Sequence, residues 1–309
     1  MGTVSSERRL TLRLEADSVG DSWLYYKLFL GDRFWAAEHL IANVLARVAE
    51  SAEDKGWFFL RYTDEGGPHL RFRLRCGQES NDDLDLLVRP MLVDALEGLA
   101  GAAPSRYRPL VRHGSIAPAI RMNLSRRVER ADYIPEVEKF GVRGIRVAEK
   151  LFEASSVLAA QIIASCRDNR FSRKNLLPLY MEIVLRWFPV AAPGFWTRYA
   201  DHWLAVDGSR ATDWRPRFEV KVRALQAEGW KPPRAEDLSL EEQQLCERWD
   251  EALRRAADGY SQLPDSPPVP NEVLAPTFMH LMNNRLGLSP LEEAYLATLL
   301  GSIAAEARA

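Results

Sequence analysis

The sequence predicts an α+β fold, in which a mixed or antiparallel sheet in the N-terminal half packs against a mostly helical C-terminal half. Before residue 140, apolar side chains alternate along several short runs, as they do in strands. From Gly144 onward the apolar spacing is almost entirely helical. No repeat or low-complexity segment separates the halves, so we expect a single domain over 1–309, sheet-rich over 1–140 and helix-rich over 141–309.

The N-terminal half is predicted to alternate strands with helices. Arg9–Ala16 places leucines at every second position, and Trp23–Leu30 is an aromatic-rich strand closed by Gly31. The other predicted elements are a helix over Arg33–Glu50, two strands within Gly56–Arg75, a helix over Asp83–Leu99 and a strand over Arg106–Arg112.

The second strand of the predicted pair carries a row of cations. His69, Arg71, Arg73 and Arg75 fall on one face, because strand side chains alternate. Guanidinium groups two residues apart lie about 7 Å from each other and repel. This face is therefore either open to solvent or turned toward an anionic or carbonyl-rich ligand.

Helices account for most of the C-terminal half. The last one has a strong start signal, since Pro290 follows Ser289 as N-cap and two glutamates occupy the first turn. The predicted helices are Ile145–Cys166, Ser172–Trp187, Phe195–Leu204, Trp214–Ala227, Leu238–Ala257, Pro276–Asn284 and Pro290–Ala307.

Composition excludes several classes of function. The net charge of −2 gives no general attraction to nucleic acid or to an anionic membrane, and no apolar run approaches the ~20 residues that span a bilayer. The polar N-terminus lacks a signal peptide, and the three separated cysteines predict thiols rather than disulfides, so we expect a cytoplasmic protein. Phosphate-loop, nucleophile-elbow and metal-ligand motifs are missing from the sequence, so we expect no metal or other cofactor.

Five motifs, taken in order, resemble a known family. They are Trp23–Gly31, Trp57–Tyr62, His69–Arg73, Tyr133–Gly141 and His280–Gly287. Together they are similar to the C-terminal elimination domain of class I lantibiotic dehydratases, which also occurs free-standing in thiopeptide biosynthesis. Some free-standing members are lyases that remove glutamate from glutamylated Ser or Thr. Others are pyridine synthases, which join two dehydroalanines of a precursor peptide by a formal [4+2] aza-cycloaddition and expel water and the leader peptide.

Departures from the lyase pattern favour the pyridine synthase. The lyases carry an arginine in a Glu-Arg-Tyr-Gly-Gly run, where this chain has Lys139, and a Phe-His-x-Asp-Ser run, where it has Phe152-Glu153-Ala154-Ser155-Ser156. A lysine cannot hold a carboxylate bidentately as arginine does. The resemblance thus implies a substrate peptide with thiazoles, dehydroalanines and a leader, together with a possible dehydratase complex. The alternatives are a glutamate-elimination lyase and a non-catalytic scaffold that binds the leader peptide.

The same resemblance implies the candidate site residues. Tyr295 would be the acid or hydrogen-bond donor, His280 would transfer protons near neutral pH, and Ser289 lies beside them in the motif. The residues expected to bind substrate are Arg71, Arg73, Arg61, Trp23 and Tyr25. Several also have a structural interpretation: Ser289 is a helix cap, and Tyr295 and His280 are core residues. Arg71 and Arg73 are partners of acids across the sheet, and Arg61 faces a neighbouring strand. Asn284 and Arg285 are interpreted as helix-ending residues, with Gly287 after them.

Overall fold

The computed structural model describes residues 23–52, 56–76, 81–101, 109–111, 125–206, 211–264 and 269–306. Its sheet has four strands in the order β2-β3-β1-β4, and all neighbouring strands are antiparallel. The strands are β1 (Trp23–Leu30), β2 (Trp57–Asp64), β3 (Gly67–Arg75) and β4 (Arg126–Ala131). The predicted hairpin is confirmed: β2 and β3 pair from Trp57↔Leu74 to Asp64↔Gly67.

The helices follow the predicted division of the chain. The first, α1, is a continuous run of Ala37–Leu40, a π-helical turn Ile41–Leu45 and Ala46–Ser51. The others are α2 (Asn81–Glu97), α3 (Val137–Phe140), α4 (Gly144–Arg167), α5 (Leu176–Trp187), α6 (Phe195–Val206), α7 (Ala211–Ala227), α8 (Leu240–Ser261), α9 (Asn271–Leu286) and α10 (Pro290–Glu306).

One face of the sheet is apolar and covered by helix α2. Leu24, Tyr26 and Leu28 of β1 lie on it and are buried, because alternation places them opposite Phe72 and the other apolar residues of β3. The Tyr26 hydroxyl donates a hydrogen bond to Asp85 Oδ1 of α2 at 2.5 Å. Burial raises the pKa of this phenol, so it remains a donor.

Helices α4 and α9 close the outer edge of β2. The Phe59 amide donates to Ser156 Oγ of α4 at 3.1 Å. Further along, Asn284 of α9 accepts from the Arg61 amide and donates to the Arg61 carbonyl, both at 2.9 Å. These side chains satisfy backbone groups that a further strand would otherwise bind. As a result, α9 is fixed relative to the sheet.

Helix starts and ends follow the sequence signals in the C-terminal half. Ser289 and Glu292 form reciprocal bonds at the start of α10, as the N-cap prediction requires. Gly287 ends α9 with φ of 86°, which glycine adopts without strain. The final helix packs against α6 and α7.

Two predictions about strands do not match the described residues. β4 is absent from the prediction, because five of the six residues of Arg126–Ala131 are charged or alanine and only Val128 is buried. The predicted strand Arg106–Arg112 lies mostly outside the described residues, and the described part, 109–111, is not a strand. The predicted strand Arg9–Ala16 also lies outside the described residues.

Candidate active site

The cationic face of β3 is largely covered. Arg73 is only 6% exposed, and its guanidinium lies over the rings of Tyr25, Phe58 and Tyr133 at 4.4, 4.9 and 5.0 Å. The interpretation of an open sheet face is therefore wrong at Arg73. Its Nε and Nη1 are buried and have no hydrogen-bond partner among the described residues. Burial lowers the pKa of Arg73, because the charged form loses its hydration.

The neighbouring arginines have different surroundings. Arg75 forms an ion pair with Glu153 of α4. Arg71 lies 3.4 Å from the centre of the Tyr62 ring and has a buried Nε without a partner in the described part of the chain. Among the described residues, neither Arg71 nor Arg73 forms an ion pair with a carboxylate, so the cationic face keeps hydrogen-bonding capacity.

A second buried guanidinium belongs to α9. Arg285 is 1% exposed and donates to Ser156 Oγ and to the Leu281 carbonyl, both at 2.9 Å. Burial, together with the nearby charge of Arg73, lowers its pKa to about 9. Arg285 was predicted only as a helix-ending residue. The missed signal is its spacing of four and seven residues from Leu281 and Phe278, which puts it on their face.

A half-buried phenol lies beside Arg73 and is hydrogen-bonded to a half-buried acid. The Tyr133 hydroxyl donates to Glu149 Oε1 of α4 at 2.7 Å. Burial raises the pKa of Glu149 and of Tyr133, so each favours its protonated form. Neither residue is among those predicted for the site, although Tyr133 opens one of the five motifs.

The residues predicted to bind substrate lie around these arginines. Trp23 and Tyr25 are 8% and 6% exposed, and Trp23 packs edge-on against Phe58 at 4.7 Å. They support Arg73 rather than line an open groove. Arg61 Nε donates to the Arg285 carbonyl at 3.2 Å, which ties β2 to the end of α9.

A cavity of about 650 Å³ opens on the other side of α9. This size suits a small molecule or a segment of peptide. Its walls are mainly apolar and aromatic, and they also carry cationic groups. The residues that line the cavity are Lys139, Val190, Phe195, Arg198, Tyr199, His202, Trp203, Glu272, Val273, Pro276, Thr277 and His280. Lys139 is more than half exposed, and its Nζ lies 2.8 Å from Glu136 Oε2.

His280 is held in this cavity by Trp203 of α6 and Glu293 of α10. Its ring stacks on Trp203 at 4.1 Å between centres. Its Nδ1 lies 2.8 Å from Oε1 of Glu293, which is fully buried at the start of α10. The other oxygen, Oε2, accepts hydrogen bonds from the Tyr199 hydroxyl at 2.6 Å and from Asn283 Nδ2 at 3.2 Å.

Tyr295 and Ser289 do not line this cavity. Tyr295 follows Glu293 by two residues and lies on the opposite side of α10, where it packs edge-on against Phe218 at 5.4 Å. The Lys221 ammonium lies 4.4 Å from its ring, and burial raises the pKa of its phenol to about 12. The Ser289 hydroxyl binds Glu292. Tyr295 as acid and Ser289 as a catalytic group remain predictions.

Other kinds of site are not found in the described residues. They contain no cluster of three or more His, Cys, Asp or Glu arranged to hold a metal ion. None of the helices within the described ranges has the length and apolarity needed to cross a membrane.

Comparison with known proteins gives the family. The model of the lantibiotic biosynthesis dehydratase C-terminal domain matches residues 23–304. The chain belongs to this family. The match covers both the arginine-bearing sheet and the His280 cavity, and the α+β architecture is that of the lantibiotic dehydratase C-terminal fold.

Solved structures with this fold include members of two kinds. The tRNA-dependent lantibiotic dehydratase MibB from Microbispora sp. 107891 is 22% identical with a TM-score of 0.60, over 94% of this chain and 28% of MibB. The pyridine synthase TbtD from thiomuracin biosynthesis is 16% identical with a TM-score of 0.60, over 93% of this chain and 98% of TbtD. TsrL is 15% identical with a TM-score of 0.57, over 93% and 95% of the two chains. This chain thus spans about a quarter of MibB. No curated protein matches it.

Proposed function

We propose that this lantibiotic dehydratase C-terminal domain is a pyridine synthase of thiopeptide type. Its substrate is a modified precursor peptide, and the reaction joins two dehydroalanines by a formal [4+2] aza-cycloaddition with loss of water and leader. The structural similarity to TbtD is compatible with this proposal. The structural similarity to MibB is equally compatible with the alternative, a glutamate-elimination lyase.

The observation that carries the choice is the state of the glutamate-handling positions. Lys139 stands where the lyases have arginine, and its ammonium is bound to Glu136 at the surface. Glu153 stands where they have histidine, and its carboxylate neutralises Arg75. A point-charge lysine and an added carboxylate both weaken the recognition of a substrate glutamate.

The remaining groups suit the cycloaddition. One dehydroalanine must react as its iminol tautomer, so a proton leaves the amide nitrogen and reaches the amide oxygen. Arg73 can donate from Nε or Nη1 to a peptide carbonyl, because both atoms lack a partner among the described residues. His280 supplies an imidazole at a cavity wall for proton transfer. Holding two distant alkenes in register can supply roughly 7–11 kcal/mol of the barrier.

One observation favours the lyase as the second candidate. Arg73 and Arg285 are buried cations without a carboxylate partner in the described part of the chain, and such a pair attracts an anion such as a glutamyl carboxylate. The two candidates therefore differ in what the guanidiniums bind: neutral carbonyls in the synthase, a carboxylate in the lyase.

Mass spectrometry of the purified protein with two peptides distinguishes them. A bis-dehydroalanine, thiazole-bearing peptide should yield free leader amide and a macrocycle lighter by one water. A glutamylated Ser peptide that loses glutamate would support the lyase instead. Binding of the leader with both masses unchanged would leave only the scaffold and refute the synthase.

The variant Arg73→Lys tests the site in the same assay. It keeps the positive charge but loses the planar donor set, so turnover should fall. Arg170→Lys, at an exposed residue paired with Glu241, is the matched control and should retain the activity of the parent protein.

A further inference from the structure

Glu293 is a fully buried acid in the first turn of a helix. A glutamate in the first turn of a helix normally faces solvent, where it interacts with the helix dipole. Glu293 instead has no exposed surface, although no lysine or arginine contacts it among the described residues. A carboxylate in such a position is costly unless hydrogen-bond donors compensate for its lost hydration.

Three donors supply that compensation. Tyr199 and Asn283 both donate to Oε2, and burial beside the carboxylate raises the pKa of Tyr199 well above its ordinary value, so its hydroxyl stays a donor. Oε1 is then left for His280 Nδ1 at 2.8 Å. An ionised carboxylate only accepts hydrogen bonds, so Nδ1 must carry the proton.

We propose that Glu293 is a positioning residue that fixes His280 as its Nδ1–H tautomer and leaves Nε2 as the ring nitrogen available to a substrate in the cavity. Trp203 stacking holds the plane of the ring, and the Glu293 bond fixes its rotation about the side chain. Neutral His280 can then accept a proton at Nε2. The imidazolium that results is stabilised by the Glu293 charge on one side and the Trp203 ring on the other.

The expected effect of Glu293 on the rate of the peptide reaction rests on the proposed function, in which His280 is catalytic. The tautomer itself can be measured without any substrate. In the full-length protein labelled with ¹⁵N and ¹³C histidine, His280 is assigned by the signal lost in His280→Asn. At a pH where the ring is neutral, the expected spectrum is that of Nδ1–H with unprotonated Nε2. A spectrum of the Nε2–H tautomer would overturn the proposal, whether or not the peptide reaction is observed.

The variant Glu293→Gln provides the second measurement. The glutamine amide is neutral and has only one acceptor oxygen, so it cannot accept all three hydrogen bonds that the carboxylate accepts. We therefore expect His280 to shift toward the Nε2–H form. For the peptide reaction, kcat should fall by about tenfold or more with KM within about threefold, as when the carboxylate that fixes the tautomer of a catalytic histidine is replaced by its amide. A tautomer and kcat equal to those of the parent protein would refute the positioning role.

Glu242→Gln is the matched control. Glu242 is also a buried glutamate in a first helical turn, 5% exposed, and its hydrogen-bond partners are Ser239 and Asn175 rather than His280. The variant Glu242→Gln therefore measures how much activity and stability are lost when a buried first-turn carboxylate is replaced by an amide. If Glu293→Gln does not fold, the tautomer of the parent protein still decides the proposal.

Discussion

Methionine in place of Arg285 is expected to raise the free energy of unfolding, because the arginine is a fully buried charge without a carboxylate partner in the described part of the chain. The fall of its pKa to about 9 corresponds to roughly 5 kcal/mol against the charged form. Its two hydrogen bonds, to Ser156 and to the Leu281 carbonyl, stabilise the folded state by about 3 kcal/mol. The expected net gain is about 2 kcal/mol.

A second buried arginine supplies the control for this prediction. Arg173 is 3% exposed and lies 2.6 Å from the buried carboxylate of Glu38. Arg173→Met leaves that carboxylate without its ion pair and should cost about 3–5 kcal/mol. The same substitution at two buried arginines therefore has opposite expected signs.

Urea unfolding at pH 7, followed by tryptophan fluorescence, measures both variants. The gain in Arg285→Met should shrink above pH 9, because the cost of the buried charge is fully present below the folded pKa and declines as the group loses its proton. A midpoint for Arg285→Met below that of the parent protein at pH 7 would refute the reasoning. It would mean that the guanidinium is stabilising where it lies.

Three further predictions concern α9 and α10. Asn284→Ala removes both bonds to the Arg61 backbone and should lower the free energy of unfolding by about 1–3 kcal/mol in the same assay, whereas the exposed Asn43→Ala should change it by less than about 0.5 kcal/mol. Tyr295→Phe should reduce turnover of the bis-dehydroalanine peptide far more than its binding, and equal turnover would remove Tyr295 from the mechanism. Because burial raises the pKa of Tyr295 from 10.0 to about 12, its contribution to stability is complete below pH 10 and lost by about pH 12. Tyr295→Phe should lack that slope in unfolding measurements, and an unchanged slope would contradict it.

Periodicity predicted the parts of the fold in which side chains repeat regularly. The β2–β3 hairpin and the alternation of Leu70 and Phe72 with arginines follow from a period of two. β4 escaped prediction because an edge strand need bury only one face, and its charged residues have no apolar alternation to detect.

The site was predicted less completely, because burial depends on neighbours distant in sequence. Alternation gave the face on which Arg73 lies, but the rings that cover it include Tyr133, some sixty residues away along the chain. Glu293 carries the ordinary signal of an acid in a first helical turn, so nothing local indicates that it is buried beneath His280.

The side-chain amide of Asn284 has a consequence for how a peptide can be recognised. A carboxamide presents one donor and one acceptor in the geometry of a peptide group, so at Arg61 it occupies the place of an additional strand. Recruitment of an extended substrate by β-addition along β2 would require displacing α9, and with it the imidazole of His280. The precursor peptide that we propose as substrate would then be recognised at this edge through its side chains and azoles, not through a backbone ladder. Such recognition depends on which modifications the peptide carries before it arrives.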